Sequence, residues 1–218
     1  MVAISFMSIL GIGLIAARIT GYGLPTLDGV PPQGFDRASF NRSVSLISGH
    51  SGFDSGAICT DEAGNLLLAE VDLTGQVTDL VARRLRRAGA DVSILEEYDP
   101  ALSGLETDVL LSIHADSCVD ASGYKAANYI FSPIQEIEKV LLGCIDQHYP
   151  AATDLAHHPN SVTHDMTSYH AFKRVAASTP AAILEMGFMG GDQELLTRHQ
   201  HQVAKGIADS IICFLNYE

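Results

Sequence analysis

Strongly apolar segments alternate with segments of helical periodicity along most of this chain, and that alternation constrains its fold more than any other feature. Residues 181–186 are almost continuously apolar, and the predicted strand 107–114 contains the apolar run 109–111 and Ile113, as in strands buried on both faces of a parallel sheet. Residues 70–88 instead place apolar side chains at helical spacing, which indicates an amphipathic helix. The pattern predicts an α/β fold: a single domain with a mostly parallel, twisted sheet flanked by helices on both faces.

The predicted strands and helices follow one another along the chain. Gly89 is expected to end the first helix. Pro150 is expected to end the second, because proline has no backbone N–H to continue the helical hydrogen bonds. The third helix is expected to contain a break. The predicted strands are 45–48, 91–95, 107–114 and 181–186, and the predicted helices are 70–88, 134–149 and 195–215.

The N-terminal part of the chain differs in composition from the rest. Residues 1–17 carry no charged side chain, and as a helix they would span about 25 Å, just short of a comfortable membrane span. We interpret residues 1–19 as a hydrophobic signal or membrane anchor, with a buried core helix as the alternative. Residues 20–43 are rich in Gly and Pro and predict a flexible linker, so the folded domain is expected over residues 44–218.

The charge balance excludes one class of partner. The chain has 218 residues with 13 Lys+Arg and 26 Asp+Glu, so its formal net charge is −13. A surface with that charge repels polyanions instead of displacing their counterions. Nucleic-acid binding is therefore not expected.

Four cysteines are spread along the chain without a CxxC motif or the paired spacing of a structural zinc site. In an exported protein an even number of cysteines permits two disulfides. Their positions favour Cys59 with Cys118 and Cys144 with Cys213, although two other pairings are possible. In the other interpretation each cysteine is a small buried apolar residue with a free thiol.

Polar side chains come at the ends of three predicted strands. His50 follows the first strand, His114 closes the third, and Glu185 lies near the end of the fourth. In open α/β sheets ligands collect beyond the carboxyl ends of the strands, so these side chains are expected at one edge of the sheet.

The glycine-rich residues 49–57 around His50 do not match two common catalytic or binding loops. A nucleophile elbow needs a serine with glycine two residues away on both sides, whereas Ser51 has Gly49 before it and Phe53 after it. A phosphate-binding loop needs Gly-Lys-Ser/Thr, which does not follow these glycines. Serine hydrolase and P-loop functions are therefore disfavoured.

His50, Glu70 and His114 form a candidate set of two histidines and one carboxylate. Such a set holds zinc and leaves a fourth tetrahedral position for water. Glu70 opens the first predicted helix, so its carboxylate projects from the first turn, where it can extend beyond the sheet edge. Each residue also has an ordinary interpretation: the histidines as hydrogen-bonding groups and Glu70 as a complement to the helix dipole.

Glu185 is a candidate general base and acid. It lies between the apolar residues 181–184 and 186–188, where loss of hydration would raise the pKa of its carboxyl group. A raised pKa suits proton transfer near neutral pH. The alternative is a buried structural glutamate paired with Lys173 or Arg174.

Four stretches of the chain resemble the zinc-dependent N-acetylmuramoyl-L-alanine amidases, the catalytic-domain family of bacterial cell-wall and sporulation amidases. They are residues 47–57 (ISGHSGFDSGA), Glu70 at the start of a helix, residues 111–116 (LSIHAD) and residues 179–188 (TPAAILEMGF). They occur in the order found in the family, and the resemblance extends over about residues 44–215. Glu70 alone is a weak match, whereas the first and last stretches are specific in combination.

The resemblance implies a zinc ion held by His50, Glu70 and His114, with Glu185 as the catalytic carboxylate. It implies hydrolysis of the amide between the lactyl group of N-acetylmuramic acid and L-alanine, by zinc-activated water. The expected substrate is peptidoglycan, and the expected location is extracytoplasmic, with secretion or anchoring through residues 1–17. The alternatives are a zinc peptidase of the same architecture acting within the stem peptide, or a non-catalytic wall-binding homologue.

The chain departs from the family pattern near the predicted cleft. Ser51 stands where the family commonly has a second glycine, and the segment between Tyr98 and Val109 lacks the Arg and Asn of many members. The predicted substrate-binding residues come before the last strand, although surface residues of these types are ordinary: Asp165, Tyr169, His170 and Lys173. His157, His158 and His164 are expected to be solvated loop residues and not a second metal site.

Overall fold

The computed structural model of the protein describes residues 39–217. The predicted signal or anchor at residues 1–19, and the predicted linker up to residue 38, lie outside the described residues. At the end of that predicted linker, Ser39 is buried and its hydroxyl donates a hydrogen bond to the Ala88 carbonyl. The Asn41 N–H donates to the carbonyl of Gly89. None of the helices within residues 39–217 has the length and apolar character needed to cross a membrane.

A five-stranded sheet, in the order β4-β1-β5-β7-β6, forms the centre of the domain. β1, β4, β5 and β7 are parallel, and the short edge strand β6 pairs antiparallel with β7. A separate two-stranded hairpin, β2–β3, immediately precedes the first helix. The strands are β1 Ser43–Ser48, β2 Ile58–Thr60, β3 Leu66–Ala69, β4 Asp91–Leu95, β5 Val109–Asp116, β6 Lys125–Ala127 and β7 Ala181–Phe188.

Within residues 39–217 five α-helices accompany these strands, and three of them are long. Short 3-10 turns lie at Pro100–Leu102, Pro159–Ser161 and His170–Lys173. The predicted break in the last helix is confirmed, because the chain forms two consecutive helices there. The helices are α1 Glu70–Ala88, α2 Gln135–Thr153, α3 His164–Thr167, α4 Gln193–Arg198 and α5 Gln200–Leu215.

The core forms on both faces of the sheet. The long helices α1, α2 and α5 pack in one layer with Leu111 and Ile113, which project from the same face of β5. On the other face, Leu110 of β5 packs with Tyr169 and Phe172 from the α3 region and the following 3-10 turn. Alternate strand residues project to opposite faces, so both are apolar and β5 is buried along nearly its whole length. The predicted α/β class, with a single domain and a mostly parallel sheet, is confirmed.

The prediction that Pro150 ends the second helix is wrong, because α2 continues through Pro150 to Thr153. The helical turn that contains Pro150 is stabilised by hydrogen bonds of the residues before and after it. The buried Tyr149 hydroxyl donates to the carbonyl of Met186, and the Thr153 hydroxyl donates to the carbonyl of Tyr149. Asp154 then caps the helix in the left-handed region and donates its N–H to Pro150 O. One tertiary hydrogen bond and two local ones therefore stabilise the turn around Pro150, which lacks the N–H for one helical hydrogen bond.

The structure confirms the favoured pairing of the four cysteines. Cys59 is bonded to Cys118, and Cys144 to Cys213. The first disulfide ties the β2–β3 hairpin to the loop after β5. The second ties α2 to α5, two helices of the same layer.

We expect the double variant Cys144→Ser/Cys213→Ser to be less stable than the parent protein. The disulfide closes a loop with a sequence separation of 69 residues. Closing a loop of that length lowers the entropy of the unfolded chain, which raises the free energy of unfolding by roughly 2–4 kcal/mol. The midpoint of urea unfolding should fall accordingly, and an unchanged midpoint would show that packing of α2 on α5 suffices without the covalent link.

Candidate metal centre

The parallel sheet brings four predicted residues to its carboxyl edge. His50 lies two residues after β1, and His114 lies near the end of β5. Glu185 of β7 is the residue directly opposite His114 in the register of the two strands. Glu70 comes from outside the sheet, as the first residue of α1. The four side chains therefore come from one loop, one helix and two adjacent strands.

His50, Glu70 and His114 form a group that could hold a metal ion. One ligand atom from each residue lies within 4.8 Å of the other two. His50 Nε2 is 3.2 Å from Glu70 Oε2, and His114 Nδ1 is 3.1 Å from Glu70 Oε1. A tetrahedral zinc ion with ~2.0–2.1 Å bonds separates its ligand atoms by about 3.3 Å. Two imidazole nitrogens and one carboxylate in this arrangement fit a divalent ion.

At Gly56 the glycine-rich loop approaches His50 and Glu70 too closely for any larger residue. A Cβ atom at Gly56 would lie 2.5 Å from Glu70 Oε2 and 2.7 Å from His50 Cδ2. Gly56 also has φ +62°, in the left-handed region that glycine tolerates. His50 itself has φ +65°, which is uncommon for a residue with a side chain. A strained histidine backbone of this kind persists only where surrounding contacts hold it.

The Glu70 carboxylate is fixed by backbone donors as well as by the histidines. Oε2 accepts the Ala57 N–H at 2.9 Å, and Oε1 accepts the Ala115 N–H at 3.0 Å. The Glu70 N–H in turn donates to the Ala57 carbonyl. One of the unpaired N–H groups at the start of α1 is therefore satisfied by the same loop that carries His50. These contacts tie the loop, the helix and β5 together at Glu70.

Further polar groups contact the free nitrogens of the two imidazoles. Asp54 Oδ1 lies 2.6 Å from His50 Nδ1, on the opposite side of the ring from Glu70. The Ser112 hydroxyl lies 3.0 Å from His114 Nε2. Glu97 accepts the backbone N–H of His50 at 2.9 Å and lies 3.5 Å from His114 Nε2. Carboxylates that contact the free nitrogen of a ligating histidine fix the ring orientation and its tautomer.

The electrostatic balance favours ionised carboxylates in this cluster. Burial would raise the pKa of Glu70, but hydrogen bonds from His114 and His50 lower the pKa to about 2. Burial likewise opposes ionisation of Glu97, but the His170 hydrogen bond and the charge of His114 lower its pKa to about 2. The hydrogen bond to Glu70 raises the pKa of His50 to about 9. Glu70 is thus an anion, and its two oxygens can interact with protonated histidines or with a bound cation.

Glu185 has a different environment. Burial raises the pKa of its carboxyl group to about 7, and the nearby charges of Glu70 and Asp116 add to the effect. Its Oε2 atom is buried and has no hydrogen-bond partner. Lys173 and Arg174, the alternative partners, are engaged elsewhere: Lys173 lies over the Tyr129 ring and Arg174 donates to the Asp99 carbonyl. A buried carboxylate oxygen at this position is therefore free to accept a proton.

The four predicted substrate-binding residues lie in different surroundings. Tyr169 is buried, and its hydroxyl donates to Glu97 at 2.7 Å. His170 Nε2 contacts the same carboxylate at 2.8 Å. Asp165 is fully exposed beside His164, and Lys173 lines a cavity of about 170 Å³ that also includes Ala181, the first residue of β7. Within residues 39–217, the structure brings Tyr169 and His170 to the site and leaves Asp165 and Lys173 without a contact to it.

The family model for N-acetylmuramoyl-L-alanine amidase matches residues 44–213, most of the chain. The chain belongs to the N-acetylmuramoyl-L-alanine amidase family. The match covers all four stretches on which the resemblance in the sequence depends. No curated protein matches this amidase by sequence comparison.

Solved structures of amidases share the fold. The CwlD amidase from Clostridioides difficile, solved in complex with the GerS lipoprotein, has a TM-score of 0.63 at 18% identity, covering 82% of this chain and 100% of its own. Ami1 from Mycobacterium smegmatis has a TM-score of 0.63 at 17% identity, covering 83% and 99%. The catalytic domain of CwlV from Bacillus (Paenibacillus) polymyxa var. colistinus has a TM-score of 0.58 at 21% identity, covering 81% and 99%. At these identities the likeness shows the fold.

Two residues that the sequence pattern does not single out lie against the candidate metal ligands. Asp54 lies four residues after His50, inside the glycine-rich loop, and that spacing is a usable signal. Glu97 follows β4 at the carboxyl edge of the sheet, the same position relative to a strand that singled out His50. Acidic residues are common after strands, so the position of Glu97 is informative only together with its contacts.

We expect Asp54→Ala to weaken metal binding, because it removes the carboxylate that orients the His50 ring. Loss of such a partner typically reduces metal affinity by about 10- to 100-fold. Competition between the purified variant and a chromophoric chelator, with Zn²⁺ as the probe, measures the change. Asp61→Ala is the matched control, since Asp61 also accepts backbone N–H groups in an exposed turn but lies in the β2–β3 hairpin. Equal affinities for the two variants would contradict a role for Asp54.

Proposed function

We propose that this protein is a zinc-dependent amidase in which His50, Glu70 and His114 hold the metal and Glu185 transfers the proton. In this proposal it hydrolyses the amide bond between the lactyl group of N-acetylmuramic acid and L-alanine of the peptidoglycan stem peptide. Membership of the amidase family supports the reaction. The donor set of two imidazoles and one carboxylate supports zinc, which favours such ligands and leaves a coordination position open.

The environment of Glu185 is the observation that carries the proposal. Its Oε2 atom is buried without a hydrogen-bond partner, and the residue lies directly opposite His114 in the adjacent strand. A buried polar oxygen without a hydrogen-bond partner lowers the stability of the folded protein. Its presence at the carboxyl edge of the sheet, beside the candidate metal ligands, supports a functional role. The pKa of about 7 places the carboxyl group where it both accepts and returns a proton near neutral pH.

The residues then have separate roles in hydrolysis. The chemistry that zinc supplies when bound is Lewis-acid activation of water and of the substrate carbonyl. Glu185 accepts a proton from water as the water oxygen bonds to the lactyl carbonyl carbon. It then donates this proton to the amide nitrogen, so the C–N bond breaks and the amino group of L-alanine leaves. The lactyl carboxylic acid so formed loses its remaining proton to the released amine, so the products are a carboxylate and an ammonium group.

The remaining contacts keep this arrangement rigid. Backbone N–H groups of Ala57 and Ala115 hold the two oxygens of Glu70, while Asp54 holds the His50 ring and the Ser112 hydroxyl holds the His114 ring. Sites in which the ligands are themselves held by hydrogen bonds lose little energy to reorganisation during the reaction. The loop around His50 therefore contributes to positioning and not only to binding.

We propose that the enzyme acts outside the cytoplasm, where peptidoglycan lies. Both disulfides support this location, because disulfides form and persist in oxidising compartments. Secretion or anchoring through residues 1–17 is the proposed route, and those residues lie outside the described part of the chain.

We expect digestion of purified peptidoglycan to produce new L-alanine amino termini while muramic acid stays intact. Removing the metal with a chelator should abolish this release, and added Zn²⁺ should restore it. Mass spectrometry of the soluble products identifies the bond cleaved. New ends within the stem peptide would favour the peptidase alternative, and no new ends at all would favour a wall-binding protein without turnover.

We expect Glu185→Gln to reduce turnover by at least ~100-fold, because glutamine cannot accept and return the proton. Zinc content, measured by elemental analysis, should remain that of the parent protein. Glu138→Gln is the matched control: Glu138 is also a buried carboxylate, but it is hydrogen-bonded to Asn128 away from the metal ligands. Undiminished turnover in Glu185→Gln would remove this residue from the mechanism.

A further inference from the structure

Two aromatic rings lie exposed at the same sheet edge as the metal ligands. Phe53, in the loop after β1, has 63% of its surface exposed, and Tyr98, in the loop after β4, has 49%. β1 and β4 are adjacent parallel strands, so the two loops emerge side by side. Large apolar side chains grouped at the surface beside a functional site are typical of a ligand-binding surface.

The two rings are held in place and are not loose surface side chains. Phe53 and Tyr98 pack edge to face, with ring centres 4.6 Å apart. Tyr98 stacks on His170 with centres 4.2 Å apart, and His170 is fixed by its contact with Glu97. The two loops are also joined directly, since the Glu97 N–H donates to the Ser51 carbonyl. The ring surface is therefore formed before any ligand arrives, which reduces the entropy lost on binding.

The same contacts connect this surface with the metal ligands. Tyr169 lies between them, with its ring centre 4.4 Å from that of His170 and 5.7 Å from that of His114. The Phe53 N–H donates to the carbonyl of His50. We call the exposed rings of Phe53 and Tyr98 the aromatic platform. The platform is thus joined to the candidate metal ligands by a continuous series of ring contacts.

An exposed carboxylate beside the platform suits one part of the proposed substrate better than the other. The Glu96 carboxylate lies against Gly52, next to Phe53, whereas the Asp54 carboxylate is already engaged by His50 Nδ1 and the Gly56 N–H. A carboxylate at the position of Glu96 repels the carboxylates of a stem peptide. It can accept hydrogen bonds from sugar hydroxyls, while the C–H groups on the face of a pyranose ring can pack against aromatic carbon. The combination fits a sugar ring better than an acidic peptide.

We propose that the aromatic platform is a subsite for a pyranose ring of the glycan strand, with Phe53 and Tyr98 packing against the sugar face and Glu96 accepting from its hydroxyls. The inference rests on the proposed amidase function, because that function supplies a substrate made of both sugar and peptide. It adds a determinant of specificity for the glycan on the β1–β4 side of the metal ligands.

The binding test uses a soluble probe that has no stem peptide, the tetrasaccharide of N-acetylglucosamine. Titration into the full chain, followed by NMR chemical shifts, should show binding, with the shifts concentrated in the loops after β1 and β4. Phe53→Ala and Tyr98→Ala should each weaken binding by about 2- to 10-fold, the size of an aromatic contact. Because the two rings touch, the effect of the double variant is not expected to be the product of the single effects.

Phe131→Ala is the matched control for loss of an exposed ring. Phe131 is 74% exposed and packs edge to face on Tyr129, as Phe53 does on Tyr98, but it lies in the loop between β6 and α2. Its substitution should leave tetrasaccharide binding unchanged. Absence of binding to the parent protein, equal binding to the Phe53→Ala/Tyr98→Ala double variant, or an equal loss in Phe131→Ala would each overturn the inference.

Kinetics separate this inference from the proposed function. With glycan-containing fragments, the platform variants should raise KM by the same factor and leave kcat within about twofold. With a lactyl-L-alanyl peptide that has no sugar ring, KM should not change. If the protein binds the tetrasaccharide but does not cleave peptidoglycan, only the catalytic proposal is contradicted. If it cleaves peptidoglycan but does not bind the tetrasaccharide, only the proposed sugar subsite is contradicted.

Discussion

The buried carboxylate of Glu70 is the interaction on which the rest of this site depends. It lies between the two imidazoles, 3.2 Å from His50 Nε2 and 3.1 Å from His114 Nδ1, and accepts N–H groups from Ala57 and Ala115. A buried charge of this kind is stable only when its oxygens are fully engaged. The loop, the first turn of α1 and the end of β5 are therefore fixed in place by the same requirement.

The parallel sheet explains why these groups meet, and why the neighbouring surface has two different characters. Parallel strands deliver the residues after their carboxyl ends to one edge, which here brings the His50 loop, Glu97, His114 and Glu185 together. Toward β7 the edge carries Glu185, with a buried carboxylate oxygen that has no partner. Toward β4 it carries exposed aromatic rings. One edge thus combines a buried carboxylate with an apolar surface, on opposite sides of the residues that could bind a metal ion.

Much of this arrangement can be predicted from the sequence, for identifiable reasons. The α/β class follows from apolar periodicity, and His50, His114 and Glu185 stand out because each lies at the end of an apolar strand. Glu70 stands out because it opens a helix. Glu97 does not stand out in the sequence, because its role depends on contacts with His50, Tyr169 and His170. These residues lie 47, 72 and 73 residues away in the chain. Pro150 gives a wrong prediction. Proline by itself favours the end of a helix, whereas α2 continues to Thr153, and Tyr149 beside the proline is hydrogen-bonded to Met186 of β7.

By itself the sequence determined the class of fold, the family and the identity of the residues that could bind a metal, because these depend on local periodicity and on short motifs. Only the tertiary structure decided which polar groups contact the histidines, which oxygen of Glu185 is left without a partner, and where exposed rings lie beside the candidate metal ligands. Those features depend on distances between segments far apart in the chain. Such distances are set by how the strands are ordered in the sheet and how the loops pack upon it, and no local pattern encodes them.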